Sequence, residues 1–298
     1  MKNYNLNIAD YIIRFESGDD GPELAPSERF LRNICMNERQ DVLIRVRGGR
    51  PAMPHAAKRV FSAPYFEEID GSRVKKSDRF WSVSRHQDDL YIRTIFPLSS
   101  SPGNAILKFS LTSVTWDLWI EYSGDKTDPM EYPLDGLILY YLTVIHGDIM
   151  IHASGINTAG RGYLFSGISG KGKSTIARLW NDSGARIIHD DRLIIRMKDG
   201  KYVMHNTPVY NDDSPGESQL DRIYLIEHGM ENKVIPVKGA SAVSLVMANC
   251  IQHNWSQKII SGLLGSVSAM CAKIPVARLF FRPDRSITDH IIRDEQGE

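Results

Sequence analysis

The stretch Tyr163-Leu164-Phe165-Ser166-Gly167-Ile168-Ser169-Gly170-Lys171-Gly172-Lys173-Ser174 decides how this chain is read. An apolar strand runs into an octet, Gly167 to Ser174, that satisfies the pattern G-x-x-x-x-G-K-[ST], and an amphipathic helix, Ser174 to Asp182, follows. Between a strand and a helix the pattern has mechanical meaning. Glycines at 167, 170 and 172 open backbone conformations closed to residues with a Cβ, so successive N–H groups can turn inward around phosphate oxygens. The helix N-terminus adds partial positive charge at the same place. Gly167, Ser169, Gly170, Lys171, Gly172, Lys173, Ser174 and Thr175 are therefore the candidate nucleotide-binding residues. Lys173 is placed to bridge terminal phosphates as a point charge. The Ser174 hydroxyl is placed to ligate the magnesium ion that neutralises them, a job for which Thr175 is the poorer candidate.

Seventeen residues beyond Lys173, the run Arg186-Ile187-Ile188-His189 reads as a strand ending in Asp190-Asp191-Arg192. A parallel or mixed sheet would bring those two carboxylates beside the glycine loop, where one can hold a metal and the other can take a proton. Asp-Asp also begins at Asp19, Asp88 and Asp212, each better read as a solvated turn; only Asp190-Asp191 closes an apolar strand downstream of the loop. Upstream, His152 follows the apolar run Ile149-Met150-Ile151, where a satisfied core histidine is the ordinary reading. Arg161, Lys171, Arg192 and Arg222 could stabilise charge on a transferred group and are equally readable as surface charges.

Away from the loop, residues 1–125 read as short strands between turn clusters: Asp41 to Val46, Phe80 to Ser84, Leu90 to Ile95, Ile106 to Leu111 and Trp116 to Tyr122. Ser123-Gly124-Asp125-Lys126 breaks the pattern and is the expected domain boundary. Leu134, Leu137, Ile138, Tyr141, Leu142 and Ile145 recur at three and four, which predicts a helix with one buried stripe, opened by Pro133 and closed by Gly147. Ile149 to His152 and Gly162 to Ser166 are expected as strands joined by a Gly-rich turn. Further strands are expected at Arg222 to Glu227, Val234 to Val237 and Val276 to Arg282, with helices at Ala240 to Ile251 and Ser256 to Met270. Tyr202 to Asn211 and the polar run to Ser218 read as a loop able to cover the site. Trp81, Trp116 and Trp119 could line a peptide groove, but packing of a sheet is the better reading.

Composition bounds the function. The 298 residues are 42% apolar, enough for a sizeable core. Lys plus Arg equals Asp plus Glu at 36 each, so the summed field offers no general attraction to nucleic acid or an anionic membrane, and neither is an expected partner. Cys35, Cys250 and Cys271 are odd in number and lack metal-ligand spacing, which argues for reduced thiols. The N-terminus MKNYNLNIADY lacks the apolar run of a signal peptide and no stretch approaches a membrane span, so the cytoplasm is the expected compartment.

Taken in order and spacing, His152, Gly167 to Ser174 and Asp190-Asp191-Arg192 resemble the catalytic domain of HPr kinase/phosphorylase, a fold also related to ATP-dependent phosphoenolpyruvate carboxykinase. Pro133-Leu134-Asp135, Ile151-His152-Ala153-Ser154-Gly155, Tyr163 to Ser174 and Pro275 to Asp284 are similar to the stand-alone HPr-kinase-like proteins found with peptide-tailoring genes, lasso-peptide kinases among them. The resemblance covers roughly residues 133–284. It implies an α/β fold: a P-loop domain with a mixed sheet at 126–298, preceded by a smaller β-rich domain at 1–125. It also implies Asp190 as general base toward the acceptor hydroxyl, Asp191 as a metal ligand, and His152 as a polar neighbour of the transferring phosphoryl group; the roles of the two aspartates could be reversed. In HPr kinase/phosphorylase a glutamate follows the loop serine, and Thr175 stands there here, which puts phosphorylase activity and HPr itself as substrate in doubt.

The expected activity is therefore ATP- and magnesium-dependent phosphorylation of a serine hydroxyl on a peptide or protein, with catalytic residues Asp190, His152 and Lys173 and metal ligands Ser174 and Asp191. Two alternatives stand beside it: a small hydroxyl acceptor such as free serine, and a switch that holds nucleotide without transferring phosphate. The Asp190-Asp191 pair argues against the switch, since a pure binder has no use for a base. The related kinases include hexamers, so assembly is open rather than predicted.

Overall fold

The structure, a computed structural model, describes residues 1–37, 39–69, 72–97, 103–121, 126–168, 170–211 and 213–296. The chain forms two compact units of nearly equal length, Met1–Ile145 with Tyr210–Asp213 and His253–Trp255, and His146–Val209 with Ser214–Gln252 and Ser256–Glu298. The boundary expected near residue 125 falls at 122–125, outside the described residues; the units change over twenty residues later, and the first is not the smaller partner expected.

Among the described residues the first unit is built on eleven strands: β1 (Asn3–Ile8), β2 (Tyr11–Ser17), β3 (Glu23–Leu24), β4 (Ile34–Cys35), β5 (Val42–Gly48), β6 (Lys58–Ile69), β7 (Ser72–His86), β8 (Asp89–Ile95), β9 (Asn104–Phe109), β10 (Thr115–Ile120) and β11 (Lys126–Thr127). Nine form one mixed sheet in the order β4-β1-β2-β5-β10-β9-β8-β7-β6, and β3 pairs with β11. Period-2 alternation buries Leu6 and Ile8, Ile13 and Phe15, and Trp116, Leu118 and Ile120. Helix α1 (Leu134–His146) forms as expected, but Leu137 to Thr143 are all buried, so it is enclosed around most of its circumference rather than along one stripe. Its buried Asp135 is paired with Arg29 Nη1 at 3.0 Å.

Trp116 is 1% exposed against Phe109, and half-buried Trp81 stacks on Phe61 at 4.9 Å between ring centroids. Both are packing residues. His253 completes this aromatic cluster, 3.8 Å from the Tyr140 ring and 4.5 Å from Trp81, and its burial pushes the imidazole down to about 3.

The second unit is an eight-stranded mixed sheet ordered β16-β15-β14-β12-β13-β17-β19-β18. Its elements are β12 (Ile149–Thr158), β13 (Arg161–Ser166), α2 (Lys173–Asp182), β14 (Arg186–Lys198), β15 (Lys201–Asn206), β16 (Glu217–Gln219), β17 (Arg222–His228), β18 (Lys233–Val237), α3 (Gly239–Met247), α4 (Gln257–Lys273), β19 (Val276–Phe281) and α5 (Ser286–Gln296). Strand alternation divides the core into two layers. Leu164, Ile223, Leu225 and Val276 pack with Val246 of α3 and Val267 and Met270 of α4. Tyr163, Phe165, Tyr224 and Ile226 pack with Ile176 and Trp180 of α2 and Ile287 and Ile291 of α5. Helices thus cover the sheet with an apolar layer on each face, the α/β arrangement expected. Full burial of a residue the size of Ile176 contributes about 1.5–3 kcal/mol.

Two expectations are corrected here. Asp190-Asp191-Arg192 does not end its strand, because β14 runs on to Lys198, held between β12 and β15. Tyr202–Asn206 lies in β15 and Glu217–Gln219 in β16, so the expected covering loop shortens to the segment between these strands. The three cysteines are free, as composition suggested. No described helix is long and apolar enough to cross a membrane.

Candidate functional site

Strand β13 delivers the chain to Gly167 beside its parallel neighbour β17, and a Cβ at Gly167 would lie 3.0 Å from Cγ1 of Ile226 and 3.1 Å from its carbonyl oxygen. The loop turns through Gly170 at φ 81° and Gly172 at φ 93°, left-handed conformations that favour glycine. Gly172 is the N-cap of α2 and offers no side chain to the first-turn amides, nor is there an acidic residue in that turn. Those amides are left for an anion. Lys173 Nζ donates to the carbonyl of Gly167 at 2.9 Å, which lays the ammonium back over the loop, and His228 Nε2 sits 3.1 Å from the carbonyl of Gly170. Ser174 is exposed and Thr175 half-buried; Lys171 sits within the loop, and Ser169 lies outside the described residues.

Strand register brings the other candidates to the level of this loop. β12 lies between β13 and β14, antiparallel to both. Ser166, the last residue before the loop, pairs with Ala153, and Ala153 pairs with Asp191 on the far side. One row across three strands therefore carries the loop entrance, the neighbours of His152 and the carboxylates. His152 itself lies where β12 leaves β13: its amide donates to the Asn249 carbonyl at 3.1 Å, and its carbonyl accepts from Ser166 Oγ at 2.7 Å. It is exposed, with Nδ1 3.6 Å from Asp191 Oδ1, and is not the core histidine that its apolar flank suggested.

The two carboxylates have different partners. Asp190 Oδ1 accepts a hydrogen bond from the hydroxyl of Ser154, which stands directly opposite in the ladder. At Asp191, burial acts to raise the carboxyl, but the approach of the His152 imidazole and the positive charge of Arg192 outweigh it and hold the group below the usual carboxylate range. An ionised Asp191 and an exposed Ser174 hydroxyl are the donor types magnesium takes, so the residues present fit that ion, as the uncapped loop fits phosphate. Arg192 Nε is 3.6 Å from Asp191 Oδ2.

Local irregularity in β14 sets this up. The ladder with β12 pairs Gly155 with His189 and Ile156 with Ile187, leaving Ile188 as a bulged residue just ahead of His189 and the acidic pair. Buried His189 turns Nδ1 back to accept from the amides of Asp191 at 3.2 Å and Arg192 at 3.4 Å. Ser154 and His189 are site residues that the sequence reading missed. The signal for Ser154 was its position two residues after His152 on a strand; for His189 there was only its place before the pair. Arg161 and Arg222 are removed from the candidates near the phosphate: Arg161 pairs with Glu295 at 2.7 Å, and Arg222 pairs with Glu295 and with Asp294 at 3.0 Å.

Among solved structures, the chain is similar to the HPr(Ser) kinase/phosphatase from Coxiella burnetii, with a TM-score of 0.31 and 10% sequence identity over 49% of this chain and 95% of that one. What the site can do follows from its own residues. No protein-family model matches the chain, and no curated protein matches it.

Proposed function

We propose that the second unit is an ATP- and magnesium-dependent phosphotransferase that delivers the γ-phosphoryl group to a serine hydroxyl of a peptide or protein, with a ribosomal precursor peptide as the acceptor class. The observation that carries this reading is the row Ser166, Ala153, Asp191, which sets the carboxylate pair and His152 level with the start of the glycine loop. A module that only held nucleotide could use the loop and a metal-holding Asp191 but would leave Asp190 without work. The peptide acceptor rests on the sequence resemblance across residues 133–284.

In this reading the loop amides and Lys173 hold the phosphates, Lys173 exchanging the Gly167 carbonyl for phosphate oxygen. Ser174 and Asp191 would hold magnesium, which would supply charge neutralisation for the phosphates. Asp190 takes the proton of the acceptor hydroxyl, and His152 offers a polar contact beside the transferred group.

The test is incubation with γ-labelled ATP and magnesium against a panel of serine-ended precursor peptides and against free serine, for wild type, Asp190→Asn and Lys173→Ala. Label on a peptide that is lost in both variants is the expected result. Label on free serine alone would move the function to small-molecule metabolism, and ATP binding with no transfer to any acceptor would favour the switch.

A further inference from the structure

We infer that Ser154 is a positioning residue for Asp190, fixing one carboxylate oxygen so that the other is presented to the acceptor hydroxyl, and thereby marks Asp190 rather than Asp191 as the base. This rests on the phosphotransferase reading above and deepens it. Ser154 is 0% exposed in an apolar strand, a place where a hydroxyl is costly unless hydrogen-bonded. Its Oγ has one acceptor among the described residues, Asp190 Oδ1, reached from the directly opposed ladder position. The neighbouring strand residue with the same orientation class, His152, is instead 3.6 Å from Asp191.

Alternate residues of β12 thus sort the two adjacent carboxylates. Asp191 is engaged by groups that carry or can carry positive charge, His152 and Arg192, and is suited to remain an anion beside a metal. Among the described residues Asp190 meets one neutral donor, on Oδ1, which restrains its side chain and leaves Oδ2 with lone pairs for an incoming proton. In the transfer step the acceptor oxygen bonds to the γ-phosphorus, its proton passes to Asp190 Oδ2, and the bond from the γ-phosphorus to the β–γ bridging oxygen breaks to release ADP. A base whose carboxylate can swing loses much of the benefit of proximity.

The experiment measures phosphate release from magnesium-ATP with water as acceptor, and transfer to a serine-ended peptide, for wild type, Ser154→Ala, Ser154→Thr and Asp190→Asn. Nucleotide affinity and thermal midpoint are measured on the same preparations. Ser154→Ala is expected to lower kcat by roughly ten- to a hundred-fold with KM for ATP within about two-fold, and Ser154→Thr, which keeps the hydroxyl, to recover most of the rate. If Thr overpacks the site and fails to fold, the split between kcat and ATP affinity in Ser154→Ala decides alone. Full activity in Ser154→Ala while Asp190→Asn is inactive overturns the positioning role and leaves the phosphotransferase reading standing. Full activity in Asp190→Asn overturns both assignments at that carboxylate, and a wild type that turns over ATP with neither acceptor overturns the phosphotransferase reading and this inference with it.

Discussion

Replacing Gly172 with alanine should destabilise the protein more than replacing Gly170, and one ring sets the difference. Both glycines sit at positive φ, 81° and 93°, so alanine at either meets a left-handed penalty of about 1–2 kcal/mol. At 170 an added methyl would find nothing within 4 Å; at 172 it would lie 2.9 Å from Cζ of Phe281. Phe281 is 1% exposed and packed with Ile176, Leu279 and Ile287, so its ring has little room to move, and overpacking adds about 1–3 kcal/mol. The expected cost is therefore about 2–5 kcal/mol for Gly172→Ala against about 1–2 kcal/mol for Gly170→Ala. Urea unfolding followed by tryptophan fluorescence reports both, since Trp180 belongs to the same core. Adding Phe281→Leu to Gly172→Ala should cost less than the sum of the two single changes, because the smaller side chain vacates the contested space. Equal costs at 170 and 172, or a strictly additive double variant, would refute the reasoning.

Two further outcomes are expected. His253 has a folded-state midpoint lowered to about 3, whereas an unfolded histidine titrates near pH 6.5, so between those values the unfolded chain binds the extra proton and stability falls as pH drops. His253→Phe should flatten this part of the stability profile relative to wild type in urea midpoints taken at pH 4 and pH 7; parallel profiles would contradict it. Arg222, whose side chain is 15% exposed, neutralises Glu295 at 12% and Asp294, and Tyr224 donates to Glu295 at 3.2 Å. Arg222→Ala takes this cation from Asp294 and leaves Glu295 to the exposed Arg161, and should cost up to about 3 kcal/mol in chemical unfolding, reduced to near zero change when Glu295→Gln and Asp294→Asn are already present.

Much of this molecule is local and therefore legible in residue order. The glycine octet, its flanking strand and α2 are contiguous, and α1 and α4 follow helical spacing. Strand β1, Asn3–Ile8, alternates polar and apolar residues over its whole length, so its signal was present although it was passed over. Helix α5 likewise announces itself by Ile287 and Ile291 four apart. The sequence thus determined the loop, the residue types around it and most elements. Tertiary structure decided what those residues face. A strand reading of Asp190-Asp191-Arg192 runs against their charge, and β14 continues through them because β12 pairs with all three, while β15 takes up the other edge from Leu193 onward. The bulge at Ile188 is defined by a mismatch with β12 and has no meaning within its own strand. Ser154 meets Asp190 across 36 positions of chain, and the difference between the two aspartates exists only in those partners, since side-chain environment is a property of register and not of residue order.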